Sequence, residues 1–331
     1  LVKVAINGFG RIGRMVLRAG WYDPDIEFVA VNDLTSTEEL AYLLRHDSAH
    51  QQFAGLVEHD EQHVIIDGKP LRVFAEKDPE ALPWGELHID VVIESTGFFL
   101  TKELASKHLK AGAKKVLLSA PAKSDDIPVF VQGVNEHEYD KELMHIVSNA
   151  SCTTNCLAPM VKVLNDNFGI VRGFMTTVHA YTADQRLVDS PHKDPRRGRS
   201  AAINIVPTST GAAKAVTKVI PSLKGKLDGF AVRVPIPDGS ITDFVCELAQ
   251  DVTAEEVNAL FRSVAEHHMQ GILFYSEEPI VSEDIIGNSH SCVFDSLLTK
   301  VIDGRFLKIF GWYDNEWGYS CRMIDMTKQM V

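Results

Sequence analysis

Over the first 150 residues, short apolar runs alternate with stretches of helical spacing. Val2 to Ile6, Ile26 to Val31, Asp90 to Glu94, Lys115 to Leu118 and Met144 to Val147 read as buried strands. Between them Val16 to Ala19, Leu40 to Leu44 and Lys102 to Ala111 carry helical patterns, the last closed by Gly112. His63 to Ile66 and Leu71 to Phe74 flank Asp67-Gly68, a hairpin signal. Strands alternating with helices predict a mostly parallel, doubly wound sheet.

The pattern changes after Leu157 to Phe168, a helix expected to stop at Gly169. Gly173 to Val178, Phe230 to Pro235, Thr242 to Ala249, Ile272 to Tyr275, Ser291 to Phe294 and Phe306 to Trp312 read as strands with few crossovers. Thr208-Ser209-Thr210-Gly211 opens a helix through Ile220, and Thr253 to Glu256 form a capping box before a helix to about His267. A last helix begins near Trp317. This half reads as α+β with a largely antiparallel sheet.

With 331 residues the chain is long enough for two domains with cores of their own. Hydrophobic content of 45% and charged content of 24% are those of an ordinary globular protein. A formal charge of -12 argues against non-specific binding to nucleic acid or anionic membrane, so any anionic ligand must be seated by local basic groups. No apolar run is long enough to span a bilayer and no signal-like segment opens the sequence, so cytoplasm is the expected compartment. The five cysteines are odd in number and irregularly spaced, which suits a reducing compartment. Cys152 and Cys156 lie one helical turn apart, yet no second pair completes a zinc pattern, and no metal is expected.

The first strand runs into Asn7-Gly8-Phe9-Gly10-Arg11-Ile12-Gly13, a G-x-G-x-x-G motif between a strand and a helix. Gly8 permits the tight turn, Gly10 lets backbone approach a pyrophosphate, and Gly13 allows close packing of helix on strand. The next strand ends at Asn32-Asp33, twenty positions beyond Gly13. An acid there bonds a ribose 2′-hydroxyl and repels a 2′-phosphate, so the expected cofactor is NAD.

Ser148-Asn149-Ala150-Ser151-Cys152-Thr153-Thr154-Asn155-Cys156 joins a strand to a helix. Free N–H groups and the helix dipole favour an anion at such a junction, which would lower a thiol pKa and make Cys152 a nucleophile. The hydroxyls of Ser151, Thr153 and Thr154 suit an oxyanion or phosphate, or serve merely as helix caps. Pro159 predicts either a kink or a first turn that begins later than Cys152. His179 follows a strand, and Asp189 to Arg199 form a basic loop on an otherwise acidic chain.

Ala5 to Arg14, Ser148 to Cys156, His179-Ala180-Tyr181-Thr182 and Trp312 to Tyr319 together resemble the phosphorylating glyceraldehyde-3-phosphate dehydrogenases, in order and over essentially the whole chain. The resemblance implies a Rossmann-type NAD-binding domain at 1–150 and a catalytic, substrate-binding domain at 151–315, with the helix 316–331 packing back on the first. It implies oxidation of D-glyceraldehyde 3-phosphate to 1,3-bisphosphoglycerate with NAD and inorganic phosphate. Cys152 would form a thiohemiacetal and then a thioester, with His179 as general base. Thr182 and Arg233 would hold the substrate's phosphate, while Ser151, Thr153, Thr210, Gly211 and Arg197 would seat the attacking one. Arginine suits both seats because its fork grips phosphate in bidentate fashion, although either arginine could instead pair with an acidic neighbour. For NAD, Arg11, Ile12, Asp33, Lys77, Thr96, Ser119 and Asn315 occupy the family's positions, Asn315 at the nicotinamide amide. A homotetramer is implied, with no membrane or nucleic-acid partner.

The chain departs from the family's usual pattern at Ser190, commonly leucine, and at Pro195 and Gly198, commonly leucine and alanine. Losing leucine's bulk at Ser190 would make room for a 2′-phosphate from a neighbouring subunit, whereas Asp33 repels one. Asp33 is expected to win, giving NAD preference with some NADP use. Erythrose-4-phosphate dehydrogenase is the nearest rival, but its family departs from the His179 to Thr182 and Thr210 to Lys214 patterns kept here. A non-catalytic redox or metabolite sensor is a rival of another class, one that could dispense with Cys152 or His179.

Overall fold

The computed structural model describes residues 1–331. Two compact units divide them: Leu1–Phe130, His137–Ala150 and Ser320–Val331 form one, Val131–Glu136 and Ser151–Tyr319 the other.

In the first unit the elements run β1 (Val2–Asn7), α1 (Arg11–Gly20), β2 (Ile26–Asn32), α2 (Thr37–Arg45), β3 (Val57–His59), β4 (His63–Ile66), β5 (Lys69–Phe74), β6 (Val91–Glu94), α3 (Lys102–Lys110), β7 (Lys115–Leu118) and β8 (Ile146–Ser148). The sheet order is β3-β4-β5-β2-β1-β6-β7-β8. From β5 to β8 all pairings are parallel, and the order reverses on either side of β1, the topological switch point where such sheets bind ligands. The antiparallel edge comes from the expected hairpin, with Asp67 and Gly68 both at positive φ. Strands β6, β7 and β8 are buried at every position, as a sheet covered on both faces requires.

The second unit holds α4 (Cys152–Phe168), β9 (Ile170–Ala180), β10 (Val206–Ser209), α5 (Ala212–Val219), β11 (Leu227–Val234), β12 (Ser240–Leu248), α6 (Ala254–Glu266), β13 (Leu273–Ser276), β14 (Cys292–Asp295), β15 (Lys300–Ile302) and β16 (Phe306–Tyr313). Its sheet order is β10-β11-β9-β12-β16-β14-β13, with β15 beside β16. Most pairings are antiparallel, as expected, but β9 with β11 and β13 with β14 are parallel, so the sheet is mixed. Strand β12 alternates strictly, Ser240, Thr242, Phe244, Cys246 and Leu248 facing the core. The capping box at Thr253 and Glu256 opens α6 as the sequence predicts.

The last helix, α7 (Trp317–Gln329), starts on Asp314, whose Oδ1 accepts the Glu316 and Trp317 N–H groups. Within the first unit its Ile324 packs at Gly20 and its Lys328 pairs with Asp23 at 2.8 Å. No helix is long and apolar enough to cross a membrane.

Candidate active site and dinucleotide turn

Ala150, just ahead of the nucleophile motif, has φ +57°, a left-handed backbone that alanine rarely adopts. Ser148 Oγ holds its N–H at 3.1 Å. Ser151 then caps α4, its Oγ accepting the Thr154 N–H at 3.1 Å and meeting Thr154 Oγ1 at 2.8 Å. The cap reading of the Ser151 hydroxyl therefore holds in this structure. Cys152 is the first residue of the helix, so a turn beginning later is not what forms. Pro159 lies inside the helix, where it removes one backbone bond. Every residue from Thr153 to Val161 is buried, and that packing carries the helix through the proline.

Cys152 Sγ lies 3.6 Å from His179 Nε2. His179 is the penultimate residue of β9, and the parallel register with β11 sets Arg233 opposite it. His179 Nδ1 lies 2.7 Å from Ala180 O. A carbonyl cannot donate, so Nδ1 carries the proton and Nε2 turns a lone pair to the thiol. Arg233 Nη1 donates to Ala180 O at 3.1 Å and to Thr182 Oγ1 at 3.0 Å, which also brings it 3.1 Å from His179 Nδ1. Arg233 Nε is buried without a protein acceptor, as a guanidinium built to receive an anion would be.

Burial pushes the Cys152 thiol up to about 11, against Arg233 and the Thr153 hydroxyl and N–H, which favour the thiolate. Burial, helped by the Arg233 charge, pushes the His179 imidazole down to about 3. A thiol lowered by the helix N-terminus was the expectation. In the resting site desolvation outweighs it, and both groups are uncharged at neutral pH. Moving the proton from sulfur to Nε2 creates opposite charges at close range, whose attraction offsets the desolvation each would suffer alone.

Thr153 and Tyr313 form a support beneath this pair. The Tyr313 hydroxyl is 2.8 Å from Thr153 Oγ1 and 2.8 Å from Thr177 Oγ1, and its ring meets His179 edge-on. The first of those threonines follows Cys152 and the second precedes His179 by two. Thr153 thus spends its hydroxyl inward, on Tyr313 and the Cys152 sulfur. Tyr313 escaped the sequence reading. Its only signal was a phenol at the end of an apolar strand, a group that needs partners once buried.

Asp184 escaped it as well. Its carboxylate accepts from Thr182 Oγ1 and, at 2.6 Å, from Arg197 Nη1. Arg197 also donates to Thr208 Oγ1 at 2.8 Å and Ser209 O at 3.3 Å, so it braces the segment leading to Thr210 and Gly211. Thr210 Oγ1 accepts the Ala212 N–H at 3.2 Å, and Gly211 stands as the N-cap of α5. Asn315 is buried, its Oδ1 accepting Ser240 Oγ at 2.6 Å, and Ser240 Oγ in turn accepts the Ala180 N–H at 3.1 Å. Cys156 faces away into the core, its thiol on Gly311 O at 3.5 Å and beside Cys292. All five cysteines are free thiols.

In the first unit the glycine motif forms the turn the spacing predicts. Gly8 has φ +92°, and a Cβ there would stand 2.7 Å from the Thr96 backbone nitrogen. A Cβ on Gly13 would meet Gly8 O at 2.2 Å, whereas one on Gly10 would meet nothing within 4 Å, leaving the approach to the helix start open. Asp33 Oδ2 accepts the Phe9 N–H at 2.8 Å, so the acid sits on the turn itself. The Arg11 side chain is paired with Asp47, so it is the start of α1, at Arg11 and Ile12, that faces the open side of the turn. Ser119 closes β7, its N–H on Glu94 O at 3.0 Å. Thr96 lies against Gly8, while Lys77 is exposed beyond β5. An open cradle on a helix start with an acid beside it fits NAD.

The family description "Glyceraldehyde 3-phosphate dehydrogenase, NAD binding domain" matches residues 2–102, and "Glyceraldehyde 3-phosphate dehydrogenase, C-terminal domain" matches residues 151–315. The chain belongs to the glyceraldehyde-3-phosphate dehydrogenase family. It is 58% identical over 326 residues to glyceraldehyde-3-phosphate dehydrogenase of Geobacillus stearothermophilus, covering 98% of this chain and 97% of that one. It is 58% identical over 328 residues to that of Streptomyces coelicolor, with the same coverage, and 57% identical over 326 residues to glyceraldehyde-3-phosphate dehydrogenase 1 of Bacillus subtilis. The chain is an NAD-dependent oxidoreductase of the glycolytic type. Among its departures from the family's usual loop, Gly198 gains a physical reading. It is buried, its carbonyl accepts the Ser190 N–H at 2.9 Å, and a Cβ would stand 2.7 Å from Ser190 O. Nothing in the structure explains Pro195.

Proposed function

We propose that this chain oxidises and phosphorylates D-glyceraldehyde 3-phosphate to 1,3-bisphosphoglycerate. The observation that carries the reading is the Cys152 thiol 3.6 Å from the unprotonated nitrogen of His179, with Arg233 beside the pair. Cys152 attacks the aldehyde carbon as its proton passes to His179 Nε2, and His179 returns that proton to the new oxyanion, giving a thiohemiacetal. Bound NAD supplies the hydride acceptor. His179 takes the hydroxyl proton back as hydride leaves, so the carbonyl reforms as a thioester. The Cys152 N–H and His179 hold the oxyanion during both steps. Inorganic phosphate then attacks the thioester carbon and the Cys152 thiolate departs.

Thr182 and Arg233 seat the substrate's phosphate in this reading. Ser151, Thr153, Thr210 and Gly211 serve the attacking one, with Arg197 bracing their segment through Thr208 and Ser209. Ser151 and Thr153 contribute backbone N–H groups, because their hydroxyls are engaged elsewhere. Gly8, Gly10, Arg11, Ile12, Gly13, Asp33, Thr96 and Ser119 line the dinucleotide, Asn315 takes the nicotinamide amide, and Lys77 is the outermost contact.

We further propose a homotetramer working in the cytoplasm. Phe174 and Phe230 stand on one face of the β9–β11 pair at 68% and 49% exposure, and Leu187, Val188, Ile203 and Ile205 are exposed nearby in sequence. Apolar surface on this scale is what a subunit interface covers. Stoichiometric alkylation of Cys152 tests the catalytic reading: loss of NADH formation in step with modification supports it, and activity that survives full modification contradicts it.

A further inference from the structure

One wholly buried polar residue beside the dinucleotide turn has no place in the chemistry above. Glu94 ends β6 and is wholly buried. Its Oε2 accepts Asn7 Nδ2 at 2.6 Å and faces His108 Nε2 at 3.0 Å; its Oε1 accepts the Thr96 N–H at 2.8 Å and the Thr96 hydroxyl at 2.5 Å. Trp84 Nε1, a group that can only donate, points at His108 Nδ1 at 3.0 Å. His108 Nδ1 is therefore the acceptor, Nε2 carries the proton, and the imidazole is neutral. Glu94 thus receives four donors and no formal cation, an arrangement that only the ionised carboxylate satisfies at every position.

Asn7 and Thr96, which supply three of those donors, lead to the glycine turn. Asn7 is the residue before Gly8, and its Oδ1 accepts Asn32 Nδ2 at 2.7 Å. Asn32 in turn bonds the Glu76 backbone at 2.9 Å and 2.8 Å through its two amide ends, so one buried network ties the carboxyl ends of β6, β1, β2 and β5. Thr96 meets the turn from the other side, at a distance from Gly8 that excludes a Cβ. Ser95, between them, bonds Gly8 O through its hydroxyl at 2.9 Å. Burying an uncompensated carboxylate is costly, and an apolar pair would hold α3 to the sheet without it. What the carboxylate adds is orientation of Thr96 and Asn7.

We infer that Glu94, kept in register by the Trp84–His108 pair, is a positioning residue for the dinucleotide, setting the Gly8 turn and Thr96 in the geometry that binds NAD. This rests on the NAD reading of the first unit. A glutamine at 94 presents an NH₂ in place of an oxygen that accepts two of the four donors, so buried donor–donor contacts replace bonds.

The test is NAD affinity of the ligand-free protein by calorimetric titration, for the parent chain, Glu94→Gln and Trp84→Phe. Glu94→Gln is expected to raise the Kd for NAD about tenfold or more. The KM for glyceraldehyde 3-phosphate and the rate of Cys152 alkylation should stay within about twofold, which a general loss of fold would not allow. Trp84→Phe frees His108 to switch tautomer and is expected to weaken NAD several-fold with Glu94 intact. If Glu94→Gln fails to fold, Trp84→Phe decides, together with the ¹⁵N spectrum of His108 in the parent chain. A neutral ring protonated at Nε2 supports the inference; an Nδ1–H tautomer or an imidazolium overturns it. Folded variants that bind NAD as the parent does also overturn it. A parent chain that fails to bind NAD would instead remove the dinucleotide reading itself.

Discussion

His179 presents a bare Nε2 to Cys152 Sγ at 3.6 Å because its other nitrogen is committed to Ala180 O at 2.7 Å. The tautomer is thus fixed by the backbone of the residue next in sequence. An imidazole so held is a proton acceptor at neutral pH, and burial together with Arg233 keeps it uncharged until the thiol proton arrives. Replacing His179 with asparagine should lower kcat about 10²- to 10⁴-fold, the usual worth of a positioned base. Cys152→Ser should abolish turnover, with NAD affinity retained. Steady-state NADH formation and a binding titration check both.

Tyr313→Phe tests the support beneath that pair. Removing one hydroxyl leaves Thr153 Oγ1 and Thr177 Oγ1 without their shared partner in a buried site. The expected cost is about 1–3 kcal/mol of stability, read by denaturant unfolding. kcat should fall as the Cys152–His179 distance loosens. Unchanged stability and kcat would mean that the hydroxyl triad fixes nothing.

Asp184→Asn should weaken the phosphate side of the reaction. The carboxylate bridges Thr182 and Arg197, so the amide frees a guanidinium and a hydroxyl at once. KM for glyceraldehyde 3-phosphate and for inorganic phosphate is expected to rise severalfold, while alkylation of Cys152 proceeds as before. A fall in the alkylation rate with both KM values unchanged would assign Asp184 to the nucleophile instead.

Much of this was legible in the chain. The G-x-G-x-x-G spacing and the acid at 33 located the turn because each glycine answers one local steric demand, and Gly8 and Gly13 meet theirs. The strand-to-helix cysteine and the histidine were legible for the same reason, that the motif is local, although His179 proves to lie within the end of β9 rather than after it. Groups that act across the sheet were not. Tyr313 lies 160 residues from Thr153, and no periodicity ties them. Short strands such as β3, β10 and β15 were missed because they are exposed at half or more of their positions and carry no apolar run, unlike the equally short but wholly buried β6, β7 and β8. The sign of the Cys152 shift was missed because helix polarity is written in sequence and burial is not.

Acid should expose the Arg11–Asp47 pair. Burial alone would raise the Asp47 carboxyl, but the bonds it accepts from Arg11 and from the Ala49 and His50 N–H groups outweigh that and hold it at about 2 against an ordinary 3.8. A depressed carboxylate stabilises the folded chain above its unfolded pKa and loses that contribution as pH falls towards its folded one. The loss should therefore fall between about pH 4 and pH 2 and amount to about 1–2 kcal/mol, reduced because Arg11 is one-third exposed to screening solvent. Unfolding of the parent and Asp47→Asn across that window checks it: the difference in stability should shrink as pH falls.

Cofactor choice follows from Asp33, which sits on the turn through Phe9 N–H. kcat/KM should be higher with NAD than with NADP, and Asp33→Gly should narrow the gap, since the repelling charge is gone. A higher efficiency with NADP in the parent chain would contradict the role given to Asp33.

The most direct test of the whole account is NADH formation from glyceraldehyde 3-phosphate and NAD, measured with and without inorganic phosphate and beside erythrose 4-phosphate. The account predicts rapid turnover of the three-carbon substrate that depends strongly on phosphate, because the Cys152 thioester must be released by it. Turnover only of the four-carbon sugar, or indifference to phosphate, would contradict the acyl-phosphate mechanism while leaving the cysteine chemistry in place.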